Sequence, residues 1–88
     1  MSKDTLVEGR KQIDSIDHQL ISLLAARERV VQEIGQYKKD HHIPPLQPAR
    51  YQEVLEKVAR QGAAEGLSED FVKRIFDLIH EESLKLEK

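Results

Sequence analysis

TLVEGRKQIDSIDHQLISLLAARERVVQEIGQYKK, residues 5–39, decides the fold. Apolar side chains recur at Leu6, Ile13, Ile16, Leu20, Leu23, Val30, Ile34 and Tyr37, in alternating steps of three and four. That period places them along one stripe of a single long amphipathic α-helix. No proline interrupts it. Extending the stripe adds two positions, which hold Gly9 and Arg27 rather than apolar side chains. Arg10 and Lys38 fall just beside it, in one heptad column. At ~1.5 Å per residue the helix would be roughly 52 Å long, whereas a compact monomer of this size is about 31 Å across. The remaining residues cannot cover such a stripe. The reading is therefore that the helix packs against a second copy of itself, in a closed two-fold dimer. The alternative is a helix that breaks at Gly9 or at Ala25-Ala26 and folds back. Alanine favours helix, and neither place carries turn chemistry.

Outward from this stretch, Thr5-Leu6-Val7-Glu8 fits a capping box at the helix start, with Asp4 as an alternative cap. His41-His42-Ile43-Pro44-Pro45 should end the helix, because proline disfavours helix in the residue before it. A second helix is predicted from Pro48, a favoured first position, through Tyr51, Val54, Leu55 and Val58 to about Gly62–Gly66. Leu67-Ser68-Glu69-Asp70 then supplies a serine cap and first-turn acids for a third helix. Leu67 and Val72 are placed for a hydrophobic staple across its start. Phe71, Val72, Ile75, Phe76, Leu78 and Ile79 form its predicted buried side, continuing to Ser83, Leu86 and Glu87. The fold class is all-α, with three helices in a single domain spanning residues 1–88.

The 88 residues carry 34% charged and 39% hydrophobic side chains, a soluble globular balance. A net charge of -2 with scattered basic residues argues against a nucleic-acid surface. With no cysteine there is no disulfide framework and no thiolate site. No signal peptide or membrane span is read, since Met1-Ser2-Lys3-Asp4 leads directly into the charged helix, and the cytoplasm is the expected location. The adjacent His41 and His42 read as a solvated loop, for neither His18 nor His80 stands at ligand-like spacing to them. No metal and no cofactor are expected.

The chemistry lies in cations on or beside apolar faces: Arg10, Arg27, Lys38 and Arg50. Each read alone is a snorkelling side chain with its stem on the core. Arg27 resists that reading, because a charge on a buried stripe is costly without a partner. Several such cations in a helical bundle suggest a pocket for a small polyanion. Glycine-rich phosphate loops, nucleophile elbows and paired catalytic carboxylates are all missing from the sequence.

Across nearly its whole length the chain resembles the small all-helical chorismate mutases. The resemblance rests on the joint spacing of Arg10-Lys11-Gln12-Ile13-Asp14-Ser15-Ile16-Asp17, Leu23-Leu24-Ala25-Ala26-Arg27, Glu33-Ile34-Gly35-Gln36-Tyr37-Lys38, Pro48-Ala49-Arg50 and Ile75-Phe76-Asp77-Leu78-Ile79-His80-Glu81-Glu82-Ser83. It implies an intertwined homodimer with two sites, and rearrangement of chorismate to prephenate on the way to phenylalanine and tyrosine. It further implies that Arg27, Lys38, Arg50 and Ser83 line a pocket from one chain while Arg10 reaches in from the partner. Helix geometry agrees, since Arg10 and Arg27 stand about 25 Å apart on one helix and cannot grip one small ligand together. In that chemistry arginines hold the substrate carboxylates in the compact reactive conformer, and Lys38 stabilises charge developing on the ether oxygen. Glu87 falls where the resemblance places a pocket glutamine or glutamate facing that oxygen. An ordered last turn would aim it at Lys38, and only its protonated form could donate to an ether. Glu87 is thus expected to support turnover best in mildly acidic solution.

Two departures concern the substrate's ring hydroxyl. Gln47 stands where the family often has an acid, and Tyr51 where it commonly has glutamate. Gln47 is expected to offer its backbone or amide, and Tyr51 to pack in the core. The isochorismate-pyruvate lyases share the fold and resemble this chain at Pro48-Ala49-Arg50 followed by a non-acidic residue. They form the alternative enzyme reading, giving salicylate and pyruvate. A non-catalytic helical dimerisation module is the alternative of another class. Similar domains occur fused to other aromatic-pathway enzymes, so association with such an enzyme in trans is compatible with the resemblance.

Overall fold

The computed structural model describes residues 3–88. They form three α-helices and no strand: α1 Lys3–Asp40, α2 Pro48–Ala64 and α3 Glu69–Glu87. The chain gathers into two compact units, Met1–Val30 and Val31–Lys88.

α1 runs 38 residues through Gly9 and Ala25-Ala26 without a break, so the fold-back alternative does not hold. The predicted capping box at Thr5 needs correction. The helix already includes Lys3 and Asp4, which places Thr5 inside it and Asp4 in the first turn, where a carboxylate complements the positive helix end. The cap itself lies outside the described residues. In the first unit Leu6, Ile13, Ile16, Leu20 and Leu23 are exposed in the single chain, Leu23 by 68%. Gly9, Ala25, Ala26 and Arg27 are half-buried.

The second unit opens with the end of α1. There the Ile43 N–H donates to the Lys38 carbonyl (2.8 Å) and the His42 N–H to that of Lys39 (3.3 Å). His42 adopts φ 57°. This is the paired-bond helix ending normally completed by glycine, with a histidine in the left-handed position. It turns the chain sharply into Pro44-Pro45.

α2 starts at Pro48, where proline's missing N–H costs nothing. It buries Ala59 and Gly62, with Tyr51, Val54, Leu55 and Val58 half-buried. Its end repeats the same device with glycine: the Leu67 N–H reaches the Gly62 carbonyl (2.8 Å), the Gly66 N–H reaches Ala63 (3.1 Å), and Gly66 sits at φ 83°. Two residues later the Ser68 hydroxyl accepts from the Phe71 N–H at 3.2 Å, the predicted cap of α3, with Glu69 and Asp70 in its first turn. α3 packs on α2. The contact is close at Gly62, where an added Cβ would stand 2.6 Å from Val72 Cγ2.

The predicted buried side of α3 divides in two. Val72 is buried and Phe76 and Ile79 half-buried, but Phe71, Ile75 and Leu78 are exposed, Leu78 by 68%. They form a second stripe beside Val72, Phe76 and Ile79, and α2 covers only part of α3's circumference. Leu67, proposed as half of the staple, likewise stays exposed while Val72 is buried.

Candidate functional site

The second unit brings two of the expected site residues into direct contact. Lys38, in the last turn of α1, donates from Nζ to Glu87 Oε1 at 2.7 Å, and both side chains are largely buried, at 17% and 8% exposure. Lys38 also donates to the Pro45 carbonyl at 2.9 Å. The left-handed turn at His42 is what swings that carbonyl back over the helix. An ammonium has three N–H donors. Two are thus committed, and the third meets no acceptor among the described residues. Burying this charge is tolerable because it is paired and hydrogen-bonded on both sides.

Glu87 arrives on the final turn of α3, where Ser83, Phe76 and His80 precede it at helical spacing on one stripe. Ser83 is buried, and its hydroxyl donates to the Ile79 carbonyl one turn back at 2.8 Å. Gly35, one turn before Lys38, is buried under the same end of α3.

The connection between α1 and α2 contributes Gln47, half-buried at the N-cap of α2. Its amide donates to the Pro44 carbonyl at 3.0 Å. That leaves the side-chain carbonyl oxygen as its open acceptor. Tyr51 is half-buried, as expected of a packing residue. Its ring stacks on His80 with centroids 3.9 Å apart, and its hydroxyl donates to the Asp77 carboxylate. Tyr51 therefore ties the start of α2 to α3. Arg50 is exposed and paired with Glu53 one turn along α2, at 2.6 Å. An exposed pair of that kind contributes little and yields easily to a better anion.

The remaining two expected residues belong to the first unit. Arg27 is half-buried on α1, and Arg10 is exposed on the same helix. Reading the sequence did not single out Gly35, Asp77, His80 or the Pro45 carbonyl. Gly35 stands out only as a glycine inside a helix of otherwise good formers, a signal that does not say what it packs against. The others depend on which residues of α2 and α3 meet.

Residues 9–88 match the family profile described as chorismate mutase type II. A bifunctional chorismate mutase/prephenate dehydratase of Buchnera aphidicola subsp. Schizaphis graminum is 33% identical over 87 residues, covering 99% of this chain and 23% of that protein. A 4-amino-4-deoxychorismate mutase of Streptomyces pristinaespiralis is 32% identical over 84 residues, covering 96% of this chain and 65% of that protein. The chain thus spans about a quarter of the first relative and just under two thirds of the second. Among solved structures, chorismate mutase (form II) from Thermus thermophilus superposes with a TM-score of 0.88 at 28% identity, covering 94% of this chain and 93% of that one. Among the described residues, no helix is long and apolar enough to cross a membrane.

Proposed function

The chain belongs to the chorismate mutase type II family, and from that premise we propose that it catalyses the rearrangement of chorismate to prephenate. The observation that carries the reading is the buried Lys38–Glu87 pair with one lysine N–H left over. The reaction is an intramolecular pericyclic shift, in which the ether C–O bond breaks as a C–C bond forms. No proton need be removed and no nucleophile added. The residues assigned to it therefore hold, orient and stabilise.

In this reading Arg27 and Arg50 of one chain, with Arg10 of the partner, grip the two substrate carboxylates and populate the compact conformer. The Arg50 pair with Glu53 opens for this. Lys38 directs its third N–H at the ether oxygen, where negative charge grows in the transition state. Glu87, when protonated, donates to the same oxygen. Ser83 lines the pocket one turn before Glu87. Gln47 accepts from the ring hydroxyl through its open carbonyl oxygen, since Tyr51 spends its own hydroxyl on Asp77. The homodimer this requires is supported by the apolar stripe of α1, which lies exposed along Leu6, Ile13, Ile16, Leu20 and Leu23.

The test supplies chorismate and isochorismate separately to the purified chain. Prephenate from chorismate is the expected product. Salicylate and pyruvate from isochorismate, with chorismate untouched, would make the chain a lyase instead. Arg27→Ala should lower chorismate turnover by ~10² or more. Turnover unchanged in that variant would return the chain to a helical dimerisation module.

A further inference from the structure

Gly35 stands in α1 without a local reason. Glycine is a poor helix former, and nothing in the backbone there demands it, since the residue lies well inside a regular helix and lacks the positive φ that only Gly66 shows among the glycines. An alanine would be accepted by the helix itself. What excludes it is α3. A Cβ added at Gly35 would stand 2.9 Å from Glu87 Cα, 3.2 Å from its Cγ and 3.3 Å from its Cβ. Carbon atoms pack at about 3.5–4.0 Å. The nearest of these atoms is backbone and cannot rotate aside, so an added methyl would force the last turn of α3 outward. Lys38 follows Gly35 by three residues, on the same face of α1. It is Lys38 that the Glu87 carboxylate meets at 2.7 Å. The bare backbone at Gly35 and the ion pair at Lys38 are two points of one helix contact.

We propose that Gly35 is a positioning residue, which lets the last turn of α3 lie against α1 so that the Glu87 carboxyl reaches Lys38 and the reacting oxygen. The assignment rests on the reading of Lys38 and Glu87 given above. Glu87 acts on charge that develops only in the transition state, so displacing it lowers kcat and leaves KM nearly unchanged. The turn involved is the last of α3, and it can retreat without unmaking the α2–α3 packing.

Three variants decide the matter: Gly35→Ala, Glu87→Ala and the two combined. Each is assayed for kcat and KM on chorismate. Hydrogen exchange of the amides of residues 84–87 is followed in the ligand-free protein. Gly35→Ala should lower kcat by about tenfold or more, the scale of a misplaced group, with KM within about twofold. Exchange at 84–87 should quicken while the rest of α3 holds its protection. The combined variant should be no slower than Glu87→Ala alone. Wild-type kcat with unaltered exchange in Gly35→Ala would overturn the assignment. So would losses that multiply in the combined variant, which would place the effect of Gly35 outside Glu87, or a Gly35→Ala chain without its helices, which would make Gly35 a folding residue. Should Glu87→Ala itself keep full turnover, the reading of Glu87 fails and the positioning role falls with it. Quickened exchange at 84–87 in Gly35→Ala would then still record the helix contact by itself.

Discussion

Lys38 is held from two sides by unlike partners, a carboxylate and a backbone carbonyl, and the difference matters. The Pro45 carbonyl only fixes the ammonium in place. Glu87 can change its protonation, and with it the kind of hydrogen bond it makes. An ionised carboxylate accepts but cannot donate; the protonated acid donates. To assist a breaking ether bond Glu87 must donate to that oxygen rather than only accept from Lys38. Glu87→Gln supplies a permanent donor of nearly the same shape. Its turnover should match or exceed the parent's, whereas Glu87→Ala, which can neither donate nor accept, should be slower. Turnover in Glu87→Gln as low as in Glu87→Ala would remove the donor role from Glu87. Tyr51, where the resemblance sets a glutamate, takes a different part. It stacks on His80 and donates its hydroxyl to Asp77, an anchoring role that ties α2 to α3.

At the scale of elements, the α2–α3 pair depends on one close approach. An alanine at Gly62 would push its methyl to 2.6 Å from Val72 Cγ2. Overpacking of this kind costs about 1–3 kcal/mol. Gly62→Ala should lower the urea midpoint accordingly, whereas Gly62→Ala combined with Val72→Ala should be less destabilised than the two single losses added together. Simple additivity would mean that the two residues do not share the contact. Element ends were legible from sequence for a physical reason: Pro48, Ser68 and the Gly62–Gly66 stretch act through local backbone chemistry. The Ser68 cap and the Pro48 start are found as read. The start of α1 was misread because Thr5 and Glu8 satisfy a capping pattern that the helix runs straight through. Periodicity found the apolar residues of α3 but could not divide them. Phe71, Ile75 and Leu78 lie on one stripe and Val72, Phe76 and Ile79 on the next, and only packing against α2 distinguishes the two. Lys38 and Glu87 were named together through the family resemblance, with Glu87 at helical spacing from Phe76, Ile79 and Ser83 on α3. The part of Gly35 was not legible, since its meaning comes from a residue 52 positions later.

In the whole molecule, the proposed site is one that a single chain does not complete. Arg10 and Arg27 lie about 25 Å apart along α1, so a single small dianion can meet both only if they come from different copies. The exposed apolar residues of α1 are the surface such a pairing would bury, and burying them is the main stabilisation open to a chain this small. The direct measurement is complementation between two inactive variants. Arg10→Ala and Arg27→Ala are each purified, shown by equilibrium sedimentation to have twice the chain mass, and assayed alone and after mixing with confirmed subunit exchange. Each should lose activity by ~10² or more. The mixture should recover activity, because a heterodimer carries one site with both arginines intact. A mixture that stays as inactive as its parents, or a chain that sediments as a monomer at every concentration, would contradict the shared site.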